Sequence, residues 1–168
     1  MNKKDIARTR SNVAGTLAAL WMTVIFAFSA QPKEASSAVS GGISDRIIGM
    51  GGWLLHLNID EEKLRWIAYI VERAVRKGAH MAEFGILALL LYIWLGRWQI
   101  SHLRKYWIAA LTAVFYACTD EFHQLFVPGR AGLVSDVLID SAGAVLGLAF
   151  FLLLWKFIVR IRGRFSRR

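Results

Sequence analysis

Cysteine, proline and acidic residues are scarce in this chain of 168 residues. It has one Cys, two Pro, and 12 Asp and Glu residues against 21 Lys and Arg residues. The single cysteine, Cys118, excludes an intramolecular disulfide and a cysteine-based zinc site, and it lies in an apolar run as a small hydrophobe. The scarcity of proline, with an apolar content of 56% and a mean hydropathy of +0.43, excludes a disordered chain and disfavours an ordinary soluble domain.

The shortage of acids gives a net charge of +9, which in other contexts indicates a nucleic-acid-binding protein. Here the basic residues flank long apolar runs, and they do not form one basic domain with aromatic residues between them. The charge is therefore interpreted as a signal of membrane topology, and no nucleic-acid partner is expected.

Long apolar runs predict an all-α fold, a polytopic membrane helical bundle in a single domain over residues 1–168. Four runs are long enough to cross a bilayer; they cover about residues 11–32, 78–96, 106–127 and 133–155. The first has 22 residues without a charge. Because Lys3 and Lys4 precede it and small residues follow at 27–30, a cleaved signal peptide is the alternative for this segment.

The distribution of Lys and Arg predicts the orientation of the bundle. The N-terminal segment, the connection 97–105 and the tail 156–168 together hold thirteen basic residues and one acid, a charge of +12, and the rest of the chain has a charge of −3. Both termini are therefore predicted to be cytoplasmic in a multi-pass protein of the bacterial cytoplasmic membrane.

The connection between the first two spans, residues 31–77, is predicted to lie outside. Asn58 and Glu61 form a plausible capping pair, and apolar residues then recur at helical spacing. This predicts an amphipathic interfacial helix over about 59–77 that leads into the second span. The Gly-rich stretch 43–57 is too short to span and is predicted to be re-entrant or interfacial.

Acidic residues inside the spans need a polar environment, because an ionisable group at the bilayer centre costs about 3 kcal/mol. Glu83, Asp120 and Asp140 lie 14 to 16 residues from the cytoplasmic charge that ends each span, a depth of about 21 to 24 Å. The three carboxylates are therefore predicted at one level under the outer surface. His80, His123, Gln124 and Asp136 lie one turn further out.

Helical spacing places these groups in pairs on shared faces: His80 with Glu83, Asp120 with His123 and Gln124, and Asp136 with Asp140. Arg130, and Arg76 or Lys77, are predicted to reach the same cluster from its outer end, which is the predicted mouth of the site. With Glu121 the cluster has a formal charge of about −2, which suits a cation, shared protons or both. Arg130 is interpreted either as a topological anchor or as a group that organises the acids or holds a phosphate.

The order and spacing of these motifs resemble the VanZ-like family, which is named for a protein that lowers bacterial susceptibility to the glycopeptide teicoplanin. The matching segments are 77–85, 119–124, 128–130 and 136–143, with Ser29-Ala30-Gln31 resembling the family's Ser-x-Gln element. The resemblance implies that the first span is retained, and that the protein acts near the outer face of the membrane on the envelope or the glycopeptide response.

The resemblance supplies no reaction, so two classes of function stay open. The chain is either an enzyme or a binding and shielding protein, and in both cases the expected partners are membrane lipids or lipid-linked envelope precursors. As an enzyme it would use Asp120, Asp136 and Asp140, with Glu83, His80 and His123 in the same candidate catalytic cluster. The candidate substrate-binding residues are Arg130, Gln124, Glu121, Arg76 and Gln31.

Three further predictions concern a metal, ion movement and association. A divalent metal, including a metal-dependent lipid phosphatase, is a lesser alternative, because the order of His and Glu in the second span differs from that of metal-carrying bundles. An ion channel is disfavoured, since no polar residues continue through the cytoplasmic halves of the later spans. Gly143 and Gly147 form a Gly-x-x-x-Gly face for close helix contact, through which copies of the chain could associate.

Overall fold

The computed structural model describes residues 2–55 and 60–165, and these residues form helices joined by short connections with no strand among them. The helices are α1 (Lys3–Ser29), α2 (Lys33–Leu55), α3 (Glu61–Trp94), α4 (His102–Gln124), α5 (Val134–Ala142) and α6 (Leu148–Phe165). A 3₁₀ turn, Leu95–Arg97, ends α3, and a π-helical segment, Gly143–Gly147, joins α5 to α6. The predicted all-α class is confirmed.

The long helix α3 is the centre of the fold and contacts every other helix. Its 34 residues are about 51 Å long at 1.5 Å per residue. Its buried residues Phe84, Leu87, Ala88 and Leu91 form the core with alanines of α4 and apolar residues of α1 and the last helical segment. Alanine at 109, 113 and 117 lets α4 approach α3 closely, since these residues recur every four positions on one face.

Three helical stretches in the described part of the chain are long and apolar enough to cross a membrane: Lys4–Ser29, Glu61–Arg97 and Val134–Gly163. They correspond to the first, second and fourth predicted spans. The third predicted span, 106–127, corresponds to α4, which is not among them. Polar residues at both ends of α4, such as Arg104, Lys105, Asp120 and Glu121, lower its mean hydropathy.

The predicted amphipathic helix and the second span form one continuous helix in α3. Asp60 caps its start, because the Asp60 carboxylate accepts a hydrogen bond of 2.9 Å from the Lys63 backbone N–H. This bond holds the pKa of Asp60 below its ordinary value. The predicted cap Asn58 lies outside the described residues.

The chain between the first two spans also contains a helix that the sequence did not predict. Helix α2 includes residues 43–55 of the stretch expected to be re-entrant or interfacial, and it packs along the first half of α3. Small serines make the contact: Ser40 and Ser44 are buried, and the Ser40 hydroxyl donates to the Glu72 carboxylate at 3.2 Å. Residues 56 and 57 of that stretch lie outside the described chain.

The π-helical segment approaches α3 closely. A Cβ on Gly143 would lie 2.4 Å from the Met81 carbonyl oxygen, and one on Gly147 would lie 2.9 Å from the Gly85 Cα. The predicted close helix contact through Gly143 and Gly147 therefore forms inside the chain, against α3. Association of copies through the same face stays a prediction, and it would have to form outside these two positions.

Candidate functional site

A cavity of about 460 Å³ lies where α1 ends and α2 begins, between α2, α3, the end of α4, the turn after it and α5. It is lined by polar and charged side chains from all these elements, among them Lys33, Ser36, Ser37, Tyr69, Glu72, Arg73, Arg76, Lys77, His80, Glu121, Gln124, Arg130, Asp136 and Asp140. Cavities of this size accommodate small ligands or headgroups. The cavity is therefore the candidate site.

Asp140 is the most deeply buried acid of the cavity wall. It lies in α5 and is 1% exposed, and neither carboxylate oxygen has a hydrogen-bond partner among residues 2–55 and 60–165. The His80 Nδ1 lies 3.6 Å from Asp140 Oδ1. Helical spacing predicted that each of these residues would face the cluster, but their pairing across α3 and α5 depends on the close approach at Gly143.

Asp120 is also buried, at 3% exposed, but it lies behind the cavity wall. Its Oδ2 accepts hydrogen bonds from the Ser29 hydroxyl at 3.0 Å and from the Gln124 amide at 3.1 Å. The bond from Ser29 ties the end of α1 to α4. The hydrogen bonds of Asp120 therefore stabilise the fold, and its role as an acid or base in the cavity stays a prediction.

Arg130 joins the cavity to the end of α1. Its Nε donates to the Gln31 carbonyl oxygen at 2.9 Å and its Nη2 donates to the Phe28 carbonyl oxygen at 3.2 Å. Burial, and then the charge of nearby Arg76, lower the pKa of Arg130, but an arginine guanidinium keeps its charge in proteins. Arg130 therefore anchors the end of α1 and also faces the cavity. Its two predicted roles, as a topological anchor or as a group that organises the acids or holds a phosphate, stay predictions.

The turn that carries Arg130 is fixed by Gly129, which has a φ of +73°. Only glycine adopts this region without strain. A Cβ at Gly129 would also lie 3.2 Å from the Lys33 Cβ. The turn therefore packs against the first turn of α2, which brings Arg130 and Lys33 to the same cavity.

Paired charges form one wall of the cavity. Arg76 Nη2 lies 2.5 Å from Glu72 Oε1 and 2.9 Å from the Ser37 hydroxyl, so it bridges α3 to α2. Lys77 Nζ lies 3.3 Å from Asp136 Oδ1, which bridges α3 to α5. These residues lie at the predicted mouth, but each is neutralised by a neighbour.

Of the remaining predicted site residues, Glu121 lines the cavity, whereas His123, Glu83 and Gln31 do not. Glu121 is buried and accepts a hydrogen bond of 3.0 Å from the Leu133 backbone N–H at the start of α5. His123 stacks near Phe26, with ring centroids 4.4 Å apart, and does not line the cavity. Glu83 and Gln31 do not line it either; the Glu83 backbone carbonyl accepts from Trp21 Nε1 at 2.9 Å.

The cavity is less acidic than the sequence predicted. Five Lys and Arg residues line it against four acids, a formal charge of +1 instead of about −2. The difference arises because Glu83 and Asp120 do not line the cavity, while Lys33, Arg73 and Glu72 are added to it. Among the described residues no group of three or more His, Cys, Asp and Glu side chains is arranged to hold a metal ion, so the metal alternative gains no support from the geometry.

Sequence reasoning missed the contribution of α2 to the site. Lys33, Ser36 and Ser37 come from a segment that carried no recognised motif, and no residue pattern in it predicted the contact with α3. Tyr69 and Arg73 lie in the segment predicted as an amphipathic helix, and no role in the site was predicted for them. Their position at the cavity follows from α2 and α3 packing side by side.

The family model described as VanZ/LLP1 matches residues 15–156. The chain belongs to the VanZ/LLP1 family. The resemblance seen in the sequence motifs is thus confirmed, and the VanZ/LLP1 region includes most of α1 and every residue of the cavity. No curated protein and no solved structure matches the chain.

Membership of the VanZ/LLP1 family also bears on the signal-peptide alternative. The matched region begins inside α1, and α1 contacts the rest of the domain through Trp21, Ser29 and the Met22 carbonyl, which accepts from the Tyr116 hydroxyl at 2.7 Å. A cleaved α1 would leave these partners unpaired. The contacts therefore favour retention of α1.

Proposed function

We propose that this VanZ/LLP1 protein crosses the bacterial cytoplasmic membrane four times and binds, in its outward-facing cavity, the phosphate-bearing headgroup of a lipid-linked envelope component. Through this binding it lowers susceptibility to teicoplanin. Turnover of the ligand is the second candidate, with His80 and Asp140 as the acid and base.

The observation that supports binding is the set of cations in the cavity. Lys33, Arg73 and Arg130 have no acid within ion-pair distance in the described chain, although all three line the same space. Arginine and lysine are the residues that bind phosphate most strongly, through charge-assisted hydrogen bonds. A phosphate would supply the anion that these three side chains lack.

The second candidate, catalysis, is supported by Asp140 beside His80. A buried carboxylate next to an imidazole is suited to move a proton. Replacing Asp140 with Asn separates the two candidates: an enzyme would lose turnover while most of its ligand affinity survives, whereas a binder would lose its effect only in step with its affinity. Asp136 is less suitable for this experiment because Lys77 already pairs with it.

Teicoplanin susceptibility tests the proposal in a sensitive Gram-positive host. We expect the wild-type chain to raise the inhibitory concentration above that of an empty vector, and Arg73→Ala to lower it towards the empty-vector value at matched membrane levels, because one of the three cations is lost. Arg46→Ala is the matched control, since Arg46 is an exposed arginine of α2 outside the cavity. Equal susceptibility with the wild type and the empty vector would contradict the proposed role in teicoplanin response.

The proposed topology predicts which residues reagents can reach from outside the cell. In a Cys118→Ser background, a cysteine at exposed Glu62, near the start of α3, should react with a membrane-impermeant maleimide in intact cells. A cysteine at exposed Arg160, in α6, should react only after permeabilisation. This expectation follows from the excess of Lys and Arg in the segments predicted to be cytoplasmic. Labelling in the reverse order would contradict it.

A further inference from the structure

The charges of the cavity are only partly matched within the chain. Arg76 and Lys77 have acid partners, whereas Lys33, Arg73 and Arg130 have none in the described residues. Arg73 bonds only the Tyr69 hydroxyl, at 2.6 Å, and Arg130 bonds only backbone carbonyls. These three side chains give the cavity a surplus of positive charge.

Asp140, in contrast, is an acid that lacks a hydrogen-bond donor among the described residues. This holds for both of its oxygens, and the side chain is 1% exposed. The 3.6 Å separation from His80 Nδ1 exceeds a hydrogen bond. Leaving a buried polar group without a partner is costly, and more so for a charge. A ligand that offers only an anion would satisfy the cations and leave Asp140 unpaired.

We propose that the cavity is specific for a headgroup that carries both a phosphate and a protonated primary amine. The phosphate lies among Lys33, Arg73 and Arg130, and the ammonium group donates to Asp140. This inference rests on the proposed function, since it names the chemical class of the same ligand. The volume of about 460 Å³ is sufficient for a headgroup of this kind.

The headgroup could belong to a lipid or be free in solution. Ser36, which lines the cavity, shares a helical face with Val39 and Ile43, which are exposed apolar side chains one and two turns further along α2. An acyl chain that leaves the cavity would contact this apolar face. A lipid should therefore bind more tightly than the same headgroup without its chain.

The test measures dissociation constants for the purified full-length chain in detergent micelles. The probes are dihexanoyl phosphatidylethanolamine and its N-methyl, N,N-dimethyl and N,N,N-trimethyl forms, which offer three, two, one and no ammonium N–H donors. We expect affinity to fall along the series, by about ten-fold or more overall, because charge-assisted hydrogen bonds are lost. O-phosphoethanolamine, which has no chain, distinguishes the free headgroup from the lipid.

Variants then assign the recognition to Asp140. Asp140→Asn should flatten the methyl series while binding of dihexanoyl phosphatidic acid stays as in the wild type. Asp45→Asn is the control, since Asp45 is an exposed acid of α2 outside the cavity, and it should change neither. If Asp140→Asn does not fold, the methyl series with the wild type decides alone. Equal affinity for the ethanolamine and trimethyl forms would overturn the amine assignment, yet phosphatidic acid binding would still support the proposed function. Binding of none of these phosphate probes would overturn both.

Discussion

Gly143→Ala is expected to destabilise the folded chain by about 3 kcal/mol, because overpacking that displaces the backbone is at the upper end of its usual cost. The new Cβ would lie 2.4 Å from the Met81 carbonyl oxygen and 2.5 Å from the Met81 Cα. Both are backbone atoms, so no side chain can rotate away. Helix α5 would have to move from α3, and His80 and Asp140 would separate.

The measurement is the temperature at which the detergent-solubilised chain loses its monodisperse peak in size-exclusion chromatography. Gly41→Ala is the matched control, since a Cβ at Gly41, inside α2, has no atom within 4 Å. It should leave stability unchanged or raise it slightly, because alanine favours helix. Equal melting temperatures for the two variants would show that α3 and the π-helical segment do not pack this closely.

The sequence predicted the helices that are long and apolar enough to span a membrane. Long apolar runs are typical of membrane-spanning helices, and the predicted first, second and fourth spans correspond to α1, the second half of α3, and α5 to α6. The same rule could not predict α2. Its side towards α3 is made of small serines, while Val39, Ile43 and Trp53 are exposed, and a search for apolar faces expects the reverse.

In the candidate site, helical spacing predicted only which side chains share a face of one helix. Spacing of four residues placed Gln124 beside Asp120, and the two are hydrogen-bonded. Which side chains meet across helices depends on rotation and close approach, which spacing does not determine. For this reason Glu83 and His123 lie outside the cavity, and Lys33 of the unpredicted helix α2 lies within it.

Replacing Arg130 with alanine is expected to lower stability by about 2 kcal/mol, since two hydrogen bonds from a charged donor are lost and one of them lies on an exposed side. The Phe28 and Gln31 carbonyl oxygens at the end of α1 would lose their partner. Arg130→Lys should recover only part of the loss, because one ammonium group cannot reproduce the two separate N–H donors of the guanidinium.

Arg73→Ala is the control for Arg130→Ala, because Arg73 lines the same cavity and is exposed, but bonds only a hydroxyl on its own helix. Each substitution removes one of the three cations proposed to bind phosphate, so both should weaken phosphatidic acid binding. Only Arg130→Ala should also lower the melting temperature and expose the 29–33 connection to limited proteolysis. Equal melting temperatures for the two variants would mean that Arg130 does not anchor α1 and that its contribution is to the charge of the cavity alone.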